Sequence, residues 1–214
     1  MATATATPAL PLVLDLDTAE RVVVRLERDL TDDEFFEFCQ QPQFELFRIE
    51  RNADGDIIIM PPVGGEGTYF EHEVGWQLGA WAKNDGRGVV LSANVGLKLP
   101  DGSTLSPDAC WIPNEVWRST PRKQRKKFPP IVPPFVIEVR SRTDRKKDLH
   151  EKMLAYIRNG VELGWLIDPL TRTVRIYKQG EDFIELNDPP SIEGEGPMTG
   201  FVLDVKQIYD QLDL

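Results

Sequence analysis

One acidic residue, Glu138, lies inside the mostly apolar run from Phe135 to Val139, which follows Pro133-Pro134. An apolar run of this length is typical of a strand that is buried on both faces. Charged side chains are rare in such strands unless they are paired or bound to a metal ion. Two explanations stay open, a structural ion pair between Glu138 and an arginine, and a functional carboxylate.

A second acidic residue, Asp108, opens another predicted strand. It follows Ser106-Pro107 and precedes the apolar residues Ala109 to Ile112. Two carboxylates from neighbouring strands can hold Mg²⁺ or Mn²⁺ and leave positions for water and a phosphate oxygen. A metal ion held in this way polarises a phosphodiester and lowers the pKa of a bound water. We therefore expect Asp108 and Glu138 to share one divalent metal ion.

The remaining pattern predicts an α/β fold with a mixed β-sheet flanked by helices. Helices are expected from near Asp32, after the capping residue Thr31, from just beyond Gly67, and from about Asp148 to Arg158. Strands are expected at residues 44–49, 56–60, 89–99, 105–112, 135–139, 163–167 and 173–177. Residues 113–130 are predicted to form a charged connection with one helical turn. Residues 185–200, rich in Pro, Gly and acid, read as a surface loop.

The length of 214 residues favours one domain. We expect a loose N-terminal arm at residues 1–30, the domain at 31–190, and a C-terminal extension at 191–214 packed on the same domain. No apolar run is long enough to span a bilayer, and the first residues lack the basic region of a signal peptide. These features predict a cytoplasmic protein that does not bind membranes.

Cysteine and histidine are too few for a zinc or disulfide framework. Cys39 and Cys110 lie far apart, and so do His72 and His150, so any metal is expected to be a hard ion held by oxygen.

The net charge of −10 disfavours a protein whose main task is to coat DNA. Two basic clusters, at residues 118–127 and 140–147, are exceptions to the acidic total. The first is typical of a solvated surface, whereas the second adjoins Glu138.

Pro107-Asp108 followed by Glu138-Val139-Arg140 resembles the PD-(D/E)XK motif of restriction-endonuclease-like enzymes. More closely, the chain is similar to the Uma-type family of endonucleases, from about Glu45 to Tyr177. Further matching positions are Met60-Pro61-Pro62, Ser106, Ser141, Glu151-Lys152, Tyr156, Gly160 and Gly164 to Asp168. The resemblance implies a restriction endonuclease-like fold, with Asp108 and Glu138 as metal ligands.

Arg140 departs from the motif, which usually has lysine at this position. In the Uma-type family a lysine on the following helix takes that role, and the matching residue is Lys152. Helical spacing places Asp148, Lys152 and Tyr156 on one stripe beside an apolar one. Lys152 is thus expected to reach Glu138 as the catalytic cation, with Arg140 in support. The alternative is a surface lysine paired with Asp148.

The family also carries a polar residue on the first core helix, and the matching position is Glu71, with Glu66 and Glu73 nearby. Glu71 could bind a metal ion. Glutamates are also common at helix starts because of the helix dipole alone.

These inferences predict a Mg²⁺- or Mn²⁺-dependent endonuclease that hydrolyses DNA. One alternative is a weak or inactive nuclease-fold module that binds DNA or protein, favoured by the acidic net charge and by Arg140. Another is an unrelated metal hydrolase with a small substrate. Cutting both strands of a duplex suggests, by analogy, a homodimer.

Overall fold

The computed structural model describes residues 21–210 of the chain. Its helices are α1 (Asp32–Cys39), α2 (Gly65–Asp85), α3 (Asn114–Ser119), α4 (Arg122–Arg125), α5 (Lys146–Arg158) and α6 (Val205–Asp210). Short 3₁₀ turns cover Pro42–Phe44 and Gly196–Met198. None of the helices in this part of the chain is both long and apolar enough to cross a membrane.

The strands form a six-stranded sheet, a five-stranded sheet and a two-stranded ribbon. They are β1 (Val22–Val24), β2 (Arg48–Arg51), β3 (Ile57–Met60), β4 (Gly88–Ser92), β5 (Leu97–Lys98), β6 (Thr104–Leu105), β7 (Ala109–Pro113), β8 (Phe135–Val139), β9 (Leu163–Asp168), β10 (Thr173–Lys178), β11 (Ile184–Asn187), β12 (Ser191–Glu193) and β13 (Val202–Asp204). The architecture confirms the predicted α/β fold with a mixed sheet flanked by helices.

The six-stranded central sheet has the order β11-β10-β9-β8-β7-β4. Only the β8–β9 pair is parallel among its described pairings, and it needs the crossover helix α5 between the two strands. Every residue of β8 is buried, which confirms the prediction of a strand covered on both faces. In the antiparallel β7–β8 pair, Ala109 lies opposite Ile137.

Helix α5 covers one face of the central sheet through Leu149, Met153 and Tyr156. Gly164 on β9 permits this contact, since a Cβ atom there would lie 2.5 Å from the Met153 Cε atom. The opposite face is covered by α2 and by the C-terminal segment from Met198 to Tyr209. Gly86 ends α2 in the left-handed conformation, with φ of 75°.

The five-stranded sheet has the order β1-β3-β2-β6-β5 and packs against α1. Thr31 and Glu34 form the predicted capping box before α1. The strands predicted at residues 44–49 and 56–60 correspond to the antiparallel pair β2–β3, although β2 begins at Arg48 rather than near Phe44. The residues between β6 and β7, Ser106 to Asp108, connect this sheet to the central one.

Three segment predictions need correction. The strands predicted at residues 89–99 and 105–112 are each divided between two sheets, because β4 and β7 pair in the central sheet while β5 and β6 pair in the other. Residues 113–130 contain two short helices, α3 and α4. Residues 185–200 include strand residues of β11 and all of β12, which pair with β10 and β13.

Of the predicted N-terminal arm, residues 1–20 lie outside the described part, and Val22–Val24 pairs with β3.

Candidate active site

A cavity of about 650 Å³ lies where the two larger sheets meet helix α5, and Asp108, Glu138 and Lys152 all line it. Asp108 immediately precedes β7, and the β7–β8 register, continued by one residue, places it opposite Glu138. The strands of the two carboxylates are therefore neighbours, as the sequence predicted. This arrangement follows from antiparallel pairing alone.

Asp108 is only 3% exposed. Its Oδ2 atom accepts a hydrogen bond from the Val139 backbone N–H at 2.7 Å, and its Oδ1 atom lies 2.6 Å from Nη1 of Arg48. A charge-assisted contact of this length is among the stronger hydrogen bonds in proteins. Both oxygen atoms of Asp108 are thus held in place.

Glu138 is 2% exposed. Its Oε1 atom lies 2.9 Å from the Lys152 ammonium and accepts a hydrogen bond from the Tyr156 hydroxyl at 3.0 Å. Burial raises the pKa of Glu138 to about 8, and the nearby carboxylates Asp108 and Glu50 add to the rise while Lys152 and Arg48 oppose it. Glu138 is therefore close enough to Asp108 and Glu50 for these acidic side chains to repel it.

Lys152 projects from α5 into the cavity. Its ammonium lies 2.8 Å from Oε1 of Glu50 and donates a hydrogen bond to the Ser106 carbonyl at 2.9 Å. Burial alone would lower the pKa of Lys152, but Glu138 and Glu50 outweigh it and hold that pKa above its ordinary value. Asp148, the alternative partner, instead pairs with Arg21 at 3.1 Å.

Two side chains of β2, Arg48 and Glu50, complete the cluster and were missed by sequence reasoning. Glu50 is buried, and its Oε1 atom also accepts the Ser106 N–H at 2.9 Å. A signal was present in the sequence, because these two charges flank Ile49 at the two-residue spacing of one strand face. The predicted strand ended at Ile49, so the pattern was not recognised.

Glu71, on α2, is the acidic helix residue that reaches this cluster. Its Oε1 atom lies 3.6 Å from Nη2 of Arg48. Burial and the nearby Asp108 carboxylate raise the pKa of Glu71 to about 7. Its neighbours point elsewhere, since Glu66 pairs with Arg142 and Glu73 accepts a hydrogen bond from Gln77.

Arg140 lies beyond the end of β8 and is not among the residues that line the cavity. Its Nη1 atom lies 3.2 Å from Asp168 on β9, and its Nε atom donates to the Asp144 carbonyl at 3.1 Å. The structure thus brings together Asp108, Glu138, Lys152 and Glu71, and it places Arg140 in a neighbouring ion pair.

The donor set of this cavity fits a hard cation in kind, because carboxylate oxygens are the ligands that Mg²⁺ and Mn²⁺ prefer. Asp108 raises the pKa of both Glu71 and Glu138, so it lies close enough to each of them to repel it. Within residues 21–210, however, no three potential ligands are already grouped around one metal position. Cationic side chains, Arg48 and Lys152, instead contact the carboxylates.

Comparison with known proteins places these features in context. The Uma2 family model, described as "Putative restriction endonuclease", matches residues 32–206. A crystal structure described as "a putative nuclease belonging to DUF820 from Anabaena variabilis ATCC 29413" is similar in fold, with a TM-score of 0.68 and 21% sequence identity. The similarity covers 86% of this chain and 99% of that one. No curated protein matches the sequence significantly.

Proposed function

The chain belongs to the Uma2 family, and from this premise we propose that its cavity hydrolyses DNA phosphodiester bonds with the help of Mg²⁺ or Mn²⁺. The observation that carries the proposal is the pairing of two buried carboxylates from adjacent strands, Asp108 and Glu138, with a half-buried lysine, Lys152, in contact with Glu138. Such a cluster is expensive to bury, and perturbed acids in a cleft mark candidate functional sites.

Asp108 and Glu138 are the proposed metal ligands, with Glu71 as a further carboxylate at the same position. A divalent cation bound there would polarise the scissile phosphate and lower the pKa of a water ligand. The cation would also reduce the repulsion among the three acids.

Lys152 is the proposed catalytic cation. Because Glu138 and Glu50 keep it protonated, its role is to orient the attacking water and to stabilise charge that develops on the phosphate, rather than to accept a proton. Glu50 and the Ser106 carbonyl fix its position. Tyr156 donates to the same Glu138 oxygen and so orients that carboxylate.

The charge of the cavity supports a need for metal. Among residues 21–210, five basic side chains line it, Arg21, Arg48, Arg145, Lys152 and Arg158, against eight acidic ones, Glu50, Asp54, Asp101, Asp108, Glu138, Asp144, Asp148 and Glu151. A polyanion meets net repulsion in such a cavity unless a cation accompanies it.

The test combines cleavage with calorimetry. Wild-type protein should cut duplex DNA when Mg²⁺ or Mn²⁺ is added, and Asp108→Asn should lose both cleavage and calorimetric metal binding. Asp148→Asn is the matched control, because Asp148 lines the same cavity but pairs with Arg21, and it should keep both properties. Metal binding that survives Asp108→Asn unchanged would move the metal to another site and contradict the proposal.

A second candidate is a binding module without catalysis. The observation in its favour is that Arg48 and Lys152 already neutralise the carboxylates, as they would in a purely structural ion-pair cluster. This candidate predicts duplex binding that is independent of metal and no cleavage with any divalent ion.

We further propose that the active form is a homodimer, since two sites related by symmetry can cut both strands of a duplex. Sedimentation with and without DNA would test it, and a protein that cuts both strands as a monomer would refute it.

A further inference from the structure

The guanidinium of Arg48 contacts two acids, Asp108 in the cavity and Glu71 on α2. Its Nη1 atom is 2.6 Å from Oδ1 of Asp108, and its Nη2 atom is 3.6 Å from Oε1 of Glu71. Arg48 reaches them from β2, in the five-stranded sheet, whereas Asp108 precedes a strand of the central sheet. The contact therefore spans the junction between the two sheets.

Burial makes this contact electrostatically important. The side chain of Arg48 is 19% exposed and that of Asp108 is 2% exposed, so water screens the pair only weakly. An unpaired carboxylate in this position would be strongly unfavourable, and Arg48 supplies the compensating charge. Since a guanidinium does not lose its proton in proteins, Arg48 can release the acids only by moving away.

The two oxygen atoms of Asp108 are not equivalent. Oδ2 is held by the Val139 N–H, and Oδ1 faces Arg48. By contrast, Lys152 and Tyr156 both contact Oε1 of Glu138. The guanidinium thus adjoins the Asp108 oxygen that is not tied to the β8 backbone, and a divalent cation that approached this oxygen would be repelled by Arg48 at short range.

We infer that Arg48 is an internal cation that competes with the divalent metal ion for Asp108 and Glu71, so that metal binds as the guanidinium moves away. The inference rests on the metal site of the proposed function. It adds that Arg48 weakens the binding of the metal ion at that site. Arg48 acts through the carboxylates and is a positioning residue. Its effect belongs to metal affinity, which can be measured without turnover.

The experiment is a calorimetric titration of Mn²⁺ into the full-length wild-type protein, Arg48→Met and Arg158→Met. Arg158 lines the same cavity but lies in the last turn of α5, so its replacement removes the same charge from another position. We expect Arg48→Met to bind Mn²⁺ at least about tenfold more tightly than the wild type, a difference of about 1.4 kcal/mol. Arg158→Met should stay within about twofold.

Arg48→Lys provides a second reading if Arg48→Met is too unstable to titrate. It keeps the charge on a single ammonium, which lacks the two-pronged geometry of a guanidinium, and it should bind Mn²⁺ severalfold more tightly than the wild type. In Arg48→Met, Mn²⁺ should also raise the melting temperature more than it does in the wild type.

Equal or weaker Mn²⁺ binding in both Arg48 variants would overturn the inference and leave the proposed nuclease intact, provided that Asp108→Asn still abolishes binding. A comparable gain in Arg158→Met would also overturn it, because the effect would then belong to the net charge of the cavity. The absence of Mn²⁺ binding in every protein, wild type included, would overturn both this inference and the metal site of the proposed function.

Discussion

Both faces of the central sheet carry an apolar core, but the face beneath α5 also holds a charged cluster. On one face Phe135, Trp165 and Phe201 pack together, with ring centroids 4.9 Å apart for Phe135–Trp165 and 5.6 Å for the stacked pair Trp165–Phe201. On the other face, three residues after Phe135 along β8, Glu138 meets Lys152. Strand alternation thus separates an apolar core from a buried charged cluster by the thickness of one backbone. The difference suggests that stability and chemistry can be altered independently.

The largest expected effect is on turnover, on the charged face. Lys152→Ala should lower the rate of DNA cleavage by roughly two to three orders of magnitude, because it removes the cation held on Glu138. Single-turnover cleavage at saturating Mg²⁺ is the measurement. Arg140→Ala is the control, since Arg140 pairs with Asp168 outside the cavity. A larger rate loss in Arg140→Ala than in Lys152→Ala would mean that Arg140, at the usual motif position, is the catalytic cation.

The next effect concerns stability, on the apolar face. Trp165→Ala should lower the free energy of unfolding by about 3–5 kcal/mol, because it leaves a large cavity among packed rings. Trp76→Ala, which removes a side chain that is 57% exposed, should change it by less than about 0.5 kcal/mol. Urea denaturation measures both. If Lys152→Ala destabilises the protein as much as Trp165→Ala does, the proposed separation of the faces fails.

A smaller effect is expected on the pH dependence of stability, which distinguishes the charged face from the apolar one. Burial raises the pKa of Glu138 to about 8 from an ordinary 4.5. Between these two pH values the folded protein therefore holds a proton on Glu138 that the unfolded chain releases. The contribution of Glu138 to stability is therefore complete below about pH 4.5 and declines as the pH rises through 8. Glu138→Gln cannot ionise, and its stability relative to the wild type should increase over this range without metal. Parallel pH profiles would contradict the shift.

The smallest effect is expected at an exposed carboxylate with the opposite shift. The Arg28 side chain and the capping contacts of Thr31 lower the pKa of Glu34 to about 2. Its contribution is therefore present above its ordinary pKa of 4.5 and is lost as the pH falls through 2. Thermal melts of Glu34→Gln should show a small deficit at pH 7 that shrinks in acid. A deficit that grows in acid would refute this sign.

Much of the fold was accessible from local pattern. The apolar run of β8 and the helical stripe of α5 are signals contained within single elements, and both elements were predicted within two residues. Local pattern did not show that the strands predicted at residues 89–99 and 105–112 each divide between two sheets. Leu97–Lys98 continues the apolar pattern of β4 but pairs in the other sheet, and such a change of sheet depends on contacts between distant segments.

The site was predictable where its residues lie on the motif strands and the following helix. Asp108, Glu138 and Lys152 come together as the strand and helix spacing and the resemblance to the Uma-type family suggested. Arg48 and Glu50 come from a sheet whose position against the central one is a tertiary property, so no local spacing relates them to Glu138. Arg140 is two residues after Glu138, the spacing of one strand face. Its long side chain nevertheless turns toward Asp168 on the adjacent strand.

The C-terminal segment has a consequence for biosynthesis. Met198, Phe201 and Tyr209 are buried in the same core as Phe70 and Trp165, so α2 covers only part of the apolar face of the sheet until residue 209 has left the ribosome. Domains fold as units during synthesis, and exposed apolar surface on an incomplete unit favours aggregation. The nascent chain therefore carries a partly open sheet from the completion of β11 at Asn187 until Tyr209 has emerged. Slower elongation lengthens that period, and chaperones that hold apolar segments are expected to bind during it.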